Sequence, residues 1–181
     1  MTDRDDTSDA GELATPVGFE LNGSERTAVV ESNATLLDVL RSEFGLRGAR
    51  ASCERSVCGA CTVLVDGVPV ASCSTFAFAV DGTAVETVEG LAGEGGALSP
   101  QQQAFAECGG YQCGYCTSGM LMLTTGLLRR EHKPDRATIR DWISSNTCRC
   151  TGYEMILESV ERAADLACSG GCGTCERQVA R

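Results

Sequence analysis

The sequence predicts an α+β fold in two parts, strand-rich first and helical second. Three features carry that prediction. Residues 17–90 show period-two alternation punctuated by Asn-Gly and Asp-Gly turn pairs. Residues 99–167 carry capped apolar stripes of helical period. Residues 91–98, within the stretch GLAGEGGAL, form a glycine-rich linker between them.

Taken in order, Val17, Phe19 and Leu21 alternate with Gly18 and Glu20, and Asn22-Gly23 then supplies a tight hairpin turn. Ala28 and Val30 continue the return strand. Thr35 is placed to cap a helix, with Asp38 at its third position and Leu36, Leu37, Leu40 and Phe44 on one face. Gly45 is placed to end that helix. TVLV and VPVA flank Asp66-Gly67, a second hairpin, and Asp81-Gly82 leads into the strand TAVETV. In the second part, Ser99-Pro100 with Gln102 is a capped helix start, stopped by Gly109-Gly110. A second helix is expected over 117–130, ending before Pro134, and a third from Asp135 with Ile139, Trp142 and Ile143. Tyr153, Ile156, Leu157, Val160, Ala163, Ala164 and Ala167 form the stripe of a fourth. Short connections make these four helices a compact bundle.

The chain has 181 residues, of which 43% are hydrophobic, so one or two packed domains are expected and a wholly disordered chain is not. The formal net charge is −10. Residues 1–16 hold Asp3, Asp5, Asp6, Asp9 and Glu12 against Arg4, and read as an acidic disordered tail. The acidic surface disfavours nucleic acid and anionic lipid as partners. No apolar run reaches the length of a membrane span. The start MTDRDDTSDAGEL has no apolar signal region, so a cytoplasmic protein with reduced thiols is expected. Twelve cysteines in such a chain point to metal or redox work.

Eight of them fall into two sets of four. Cys53, Cys58, Cys61 and Cys73 read C-x4-C-x2-C followed by eleven residues and C. This is the plant-type ferredoxin spacing for a [2Fe–2S] cluster, three thiolates on one loop and a fourth arriving from a strand region. Gly59 lets the backbone come close and aim N–H groups at sulfur. A four-cysteine zinc site is the competing reading, although zinc ligands usually come as two short pairs. Cys113, Cys116, Cys148 and Cys150 read C-x2-C, thirty-one residues, then C-x-C. Both pairs precede expected helices, whose N-termini favour an anionic cluster, and Arg149 adds a cation between two of the thiols. For this set spacing alone leaves zinc open. The blocks CGYCTSGM and CRCTGYEM form a weak internal echo.

The succession CERSVCGACTVLVDG, QCGYCTSGM, NTCRCTGYEMI resembles the small iron–sulfur subunit of the molybdenum hydroxylases, the group of xanthine, aldehyde and carbon monoxide dehydrogenases. The resemblance covers roughly residues 17–167. It implies a β-grasp ferredoxin domain over 17–90 and a four-helix bundle over 99–167, each with one [2Fe–2S] cluster. It further implies that Gln112 hydrogen-bonds a molybdopterin cofactor and that Cys150 faces it. The expected partners are a large molybdopterin-binding subunit and a medium FAD-binding, or haem, subunit, assembled as a dimer of heterotrimers. No catalytic residue is expected in this chain. Ser56 and Ser118 depart from the family pattern, standing where glycine and proline are usual. A free-standing two-cluster ferredoxin is the alternative, and a structural zinc protein a second.

Four cysteines remain. Cys168, Cys172 and Cys175 in CSGGCGTCERQVAR form a cysteine-rich tail, 168–181, past the fourth helix. They are candidates for an additional metal site with Cys108 as fourth ligand, against a tail whose thiols do nothing specific. Cys108 alone reads as a packing residue. His132 has no catalytic partner in view, and no phosphate loop or dinucleotide fingerprint is present.

Overall fold

The computed structural model describes residues 14–169. The described residues form a five-stranded sheet and five α-helices. The strands are β1 (Ala14–Leu21), β2 (Ser24–Glu31), β3 (Thr62–Val65), β4 (Val68–Ala71) and β5 (Ala84–Glu86), in spatial order β2-β1-β5-β3-β4. Only the β1–β5 pairing is parallel. Asn22 and Asp66 take the left-handed conformation in the two hairpin turns, as their Asn-Gly and Asp-Gly pairs require.

β1 begins at Ala14 rather than Val17, so Ala14, Thr15 and Pro16 are strand and not part of an acidic tail. Pro16 is tolerated because β5 pairs β1 only at Glu20 and Leu21, leaving Pro16 with β2 as its one neighbour. The rest of the expected tail lies outside the described residues.

Helix α1 (Leu36–Ser42) starts in a capping box between Thr35 and Asp38 and lies on the sheet. Phe19, Leu36, Leu40, Val63 and Val85 are nearly inaccessible and form the first core, with Phe44 edge-on to Phe19 at 5.8 Å. Each such side chain contributes about 1.5–3 kcal/mol on burial.

Four helices follow: α2 (Pro100–Cys108), α3 (Thr117–Arg130), α4 (Arg136–Ile143) and α5 (Glu154–Ser169). Ser99 and Gln102 form the capping box of α2, and Gly109 at φ 66° ends it. Asp135 caps α4 by accepting the Thr138 N–H at 2.7 Å. Phe105, Met120, Leu127, Ile139, Ile143, Ile156 and Val160 make the second core. Trp142 lies at its edge, half-buried, and donates its ring N–H to the Leu123 carbonyl at 2.9 Å. α5 runs to Ser169, so Cys168 is helical and not past the helix end.

The two cores meet along α3, which packs on β3 and β4. A Cβ at Gly119 would stand 2.2 Å from the Gly59 carbonyl oxygen, so this part of α3 touches the first cysteine loop through bare backbone. Arg129 of α3 forms a two-point ion pair with Glu86 of β5.

Candidate metal centres

The first centre sits on the loop between α1 and β3 and on the turn after β4. Glu54 and Ser56 both take left-handed φ, 51° and 58°, which coils the loop around its own sulfurs. At position 56 a glycine would carry no strain, where Ser56 does. Cys58 donates its N–H to Cys53 Sγ at 3.4 Å, and Ser56 donates its N–H to Cys73 Sγ at 3.4 Å. The backbone N–H groups of Arg55, Cys58 and Val57 pull the Cys53 thiol down to about 6. Burial pushes the Cys61 thiol up to about 11, and the adjacent Cys73 thiol adds to the rise. The Cys58 side chain also acts on Cys53, as that of Cys73 does on Cys61.

The second centre joins the loop before α3 to the loop before α5. Cys113 and Cys150 approach to 3.6 Å between sulfurs, and both are exposed. Cys116, the residue before α3, pairs with Cys148 behind them. Burial pushes Cys116 up to about 12, with Cys148 contributing. Cys148 is held below its ordinary value: burial acts upward, but hydrogen bonds from Thr151, the Cys150 N–H and Cys116 outweigh it. The hydrogen bond with Cys113 raises Cys150. Cys58, Cys113, Cys116, Arg149 and Cys150 line a cavity of about 200 Å³.

These pairs bear on which metal fits. Two thiolates on one tetrahedral ion at about 2.3 Å each stand roughly 3.75 Å apart, and Cys113 and Cys150 lie 3.6 Å apart. Among the described residues no three side chains gather as ligands of a single ion. A dinuclear cluster takes two thiolates per iron, and the close approach of Cys113 and Cys150 fits that. The hydroxyls of Thr117 and Ser118 at the start of α3 are buried without a partner among the described residues, next to Cys116. They add polar capacity that a sulfide-bearing group there would use.

The two centres are knotted together. Thr147 donates its N–H to the Cys58 carbonyl at 2.8 Å. The Asn146 side chain, 4% exposed, reaches Gly59 and Thr62. Tyr153 donates its hydroxyl to the Asn146 carbonyl and accepts the Cys148 N–H. The Tyr115 hydroxyl bonds the Ala51 carbonyl, and Arg50 lies over the Tyr115 ring. Sequence reasoning named Gly59 and the eight thiols but missed Asn146, Tyr115 and Tyr153. Asn146 was open to discovery as an amide two residues from a ligand pair, yet nothing local says that it turns toward the other half.

Gln112 is exposed beside Cys113. Cys108 is a free, half-buried thiol beside Arg162. Cys168 is disulfide-bonded and lies six residues further along α5 than Arg162, about 9 Å of helix axis. Cys172 and Cys175 lie outside the described residues.

Residues 19–92 match the family described as 2Fe-2S iron-sulfur cluster binding domain, and residues 87–161 match the [2Fe-2S] binding domain. The chain is 46% identical to the nicotine 6-hydroxylase small subunit of Paenarthrobacter nicotinovorans, over 80% of this chain and 86% of that one. It is 42% identical to the nicotinate dehydrogenase small FeS subunit of Eubacterium barkeri, over 82% of this chain and 94% of that one. A chain of quinoline 2-oxidoreductase from Pseudomonas putida 86 matches with a TM-score of 0.82 at 39% identity, covering 87% of this chain and 98% of that one.

Proposed function

Because this chain belongs to the [2Fe–2S] small subunits of the molybdenum hydroxylases, we propose that electrons enter it at the Cys113–Cys150 edge and leave past the Cys53–Cys58 loop. It is the electron-transfer subunit of an oxidoreductase whose active site is on another subunit. The relatives are named as subunits, which does not favour a free-standing two-cluster ferredoxin.

Cys53, Cys58, Cys61 and Cys73 hold the first cluster in this reading, and Cys113, Cys116, Cys148 and Cys150 the second. Bound there, each cluster supplies a site for a single electron. The protein supplies N–H groups aimed at sulfur, which favour the more anionic reduced state. One observation supports the contact edge: Cys113 and Cys150 are exposed, whereas the thiols of the first set are half-buried or buried. The exposed edge, with Gln112 beside it, suits contact with molybdopterin on a large subunit. An FAD-binding or haem subunit then faces the exposed part of the first loop, where Val57 is 65% accessible.

We read the sheet with α1 across it as a β-grasp and the four later helices as a four-helix bundle. The assembly is a dimer of heterotrimers in the cytoplasm, and no helix among the described residues is long and apolar enough to cross a membrane. A third metal site at Cys168, Cys172, Cys175 and Cys108 stays a separate proposal, one that requires the Cys168 disulfide to be reduced first.

The test is metal content and substrate reduction of the natively purified complex. About four irons per chain, two for each cluster, with molybdenum in the assembly, is the expected result. Iron beyond four, or zinc on top of it, assigns the extra site. Zinc without iron overturns the redox reading. Cys150→Ser is expected to impair substrate reduction of the first-reduced cluster more than Cys53→Ser does. If Cys53→Ser alone blocks electron entry, the order is reversed.

A further inference from the structure

The peptide between Gly59 and Ala60 lies between two of the first-centre thiols, Cys58 and Cys61. Its carbonyl oxygen accepts from three donors: the Thr62 hydroxyl at 2.7 Å, the Thr62 N–H at 3.1 Å and Asn146 Nδ2 at 3.2 Å. A carbonyl has two lone pairs, so Thr62 alone satisfies it. The Asn146 bond is therefore not needed for hydrogen-bond accounting. The NH2 face of the amide must be the one turned to Gly59, because a carbonyl oxygen only accepts.

The neighbouring peptide is held the same way. Thr147 donates its N–H to the Cys58 carbonyl, so the consecutive residues 146 and 147 grip the consecutive carbonyls 58 and 59. Peptides here are trans, and in a trans peptide the N–H points opposite to the C=O. Gripping both carbonyls from the second half of the chain turns the N–H groups of Gly59 and Ala60 to the other side. Both residues are buried, and neither N–H finds an acceptor among the described residues. Gly59 is left-handed at φ 68°, a conformation that sets successive N–H groups around an anion.

We propose that Asn146 is a positioning residue for the first cluster, reaching across from the loop of the second to hold the Gly59 and Ala60 N–H groups toward it. The inference rests on Cys53, Cys58, Cys61 and Cys73 being the ligands of that cluster. Asn146 lies two residues from Cys148, so sequence proximity assigns it to the second centre. Its side chain acts on the first. At the second centre it contributes only its backbone carbonyl, to Tyr153, and that contact survives side-chain changes.

The experiment is a reductive titration of the intact complex followed by electron paramagnetic resonance, comparing wild type with Asn146→Ala and Asn146→Asp. Iron per chain is measured on the same samples. With four irons retained, Asn146→Ala is expected to lower the midpoint potential of the first cluster and alter its g-values, with a smaller change at the second. Asn146→Asp keeps the shape but cannot donate, so it is expected to shift the first cluster in the same direction. Because the added charge of Asn146→Asp lowers the potential by itself, Asn146→Leu, uncharged, of similar volume and unable to donate, is compared as well: a role in packing alone predicts wild-type behaviour for Asn146→Leu. If Asn146→Ala does not assemble, Asn146→Ser, too short to reach Gly59, takes its place with the same readings.

An unchanged first-cluster potential in these variants at full iron overturns the proposal, as does a larger shift at the second cluster. Wild-type protein with no iron on the first set is a different failure, that of the ligand assignment.

Discussion

Gly59 meets two demands at once. Its φ of 68° is a region that L side chains enter at a cost of about 1–2 kcal/mol. A Cβ there would also stand 1.6 Å from Asn146 Oδ1, so the amide must leave its site for any side chain to fit. Gly59→Ala is therefore expected to destabilise by about 2 kcal/mol or more, a fall in Tm of roughly 4–8 °C for a chain of this size. Calorimetry of the variant, with iron counted alongside, is the check. An unchanged Tm at full iron content refutes the crowded junction. The sequence displayed Gly59 plainly, because a glycine inside C-x4-C-x2-C has a local reason to be there. It did not display Asn146 as Gly59's neighbour, since that contact joins residues 87 positions apart. Thiol spacing is local chemistry written in order along the chain. The grip of one loop on the other exists only after both halves have folded and docked.

Among the elements, α3 shows how packing overrides propensity. Glycine in a helix interior costs about 0.8–1.0 kcal/mol relative to alanine, so Gly119→Ala in a free helix stabilises by that amount. Here the added methyl meets the Gly59 carbonyl at 2.2 Å, backbone that cannot swing aside. The expected outcome is a lower Tm and a weaker hold on iron at the first centre. A Tm raised by the few degrees that propensity alone supplies means that α3 does not press on the loop. The helix starts were legible, because Thr35, Ser99 and Asp135 cap through side chains that their own sequence supplies. Ends set by partners were not. β1 extends back to Ala14 through its pairing with β2. α5 continues to Ser169, past the last residue of its apolar stripe, because a helix needs no buried face to add its final turn.

Across the whole molecule, the two cores are joined where α3 packs on β3 and β4 and where the two cysteine loops meet. One tie stands apart from the centres, the pair of Glu86 on β5 with Arg129 on α3. Its two bonds, 2.5 and 2.8 Å, use both carboxylate oxygens and two guanidinium nitrogens. The hydrogen bond from Arg129 holds the Glu86 carboxyl below its ordinary value, against the opposing effect of burial. Its stabilising share is complete above the ordinary glutamate range near pH 4.3 and is lost as the pH falls through the lower value of the folded state. Both side chains keep partial access to water, so the pair is worth roughly 0.5–1 kcal/mol, not what its short distances suggest. Glu86→Gln is expected to lower Tm by about 1–4 °C at low salt. The gap closes in 1 M salt, where the screening length is about 3 Å. A tie between halves predicts more than that loss. Loosening it shifts more of the docking onto the grip of Asn146 and Thr147, so Glu86→Gln combined with Asn146→Ala is expected to cost more than the two changes summed. Additive losses in that double-mutant cycle mean that the two contacts hold independently and that the halves do not dock as one unit.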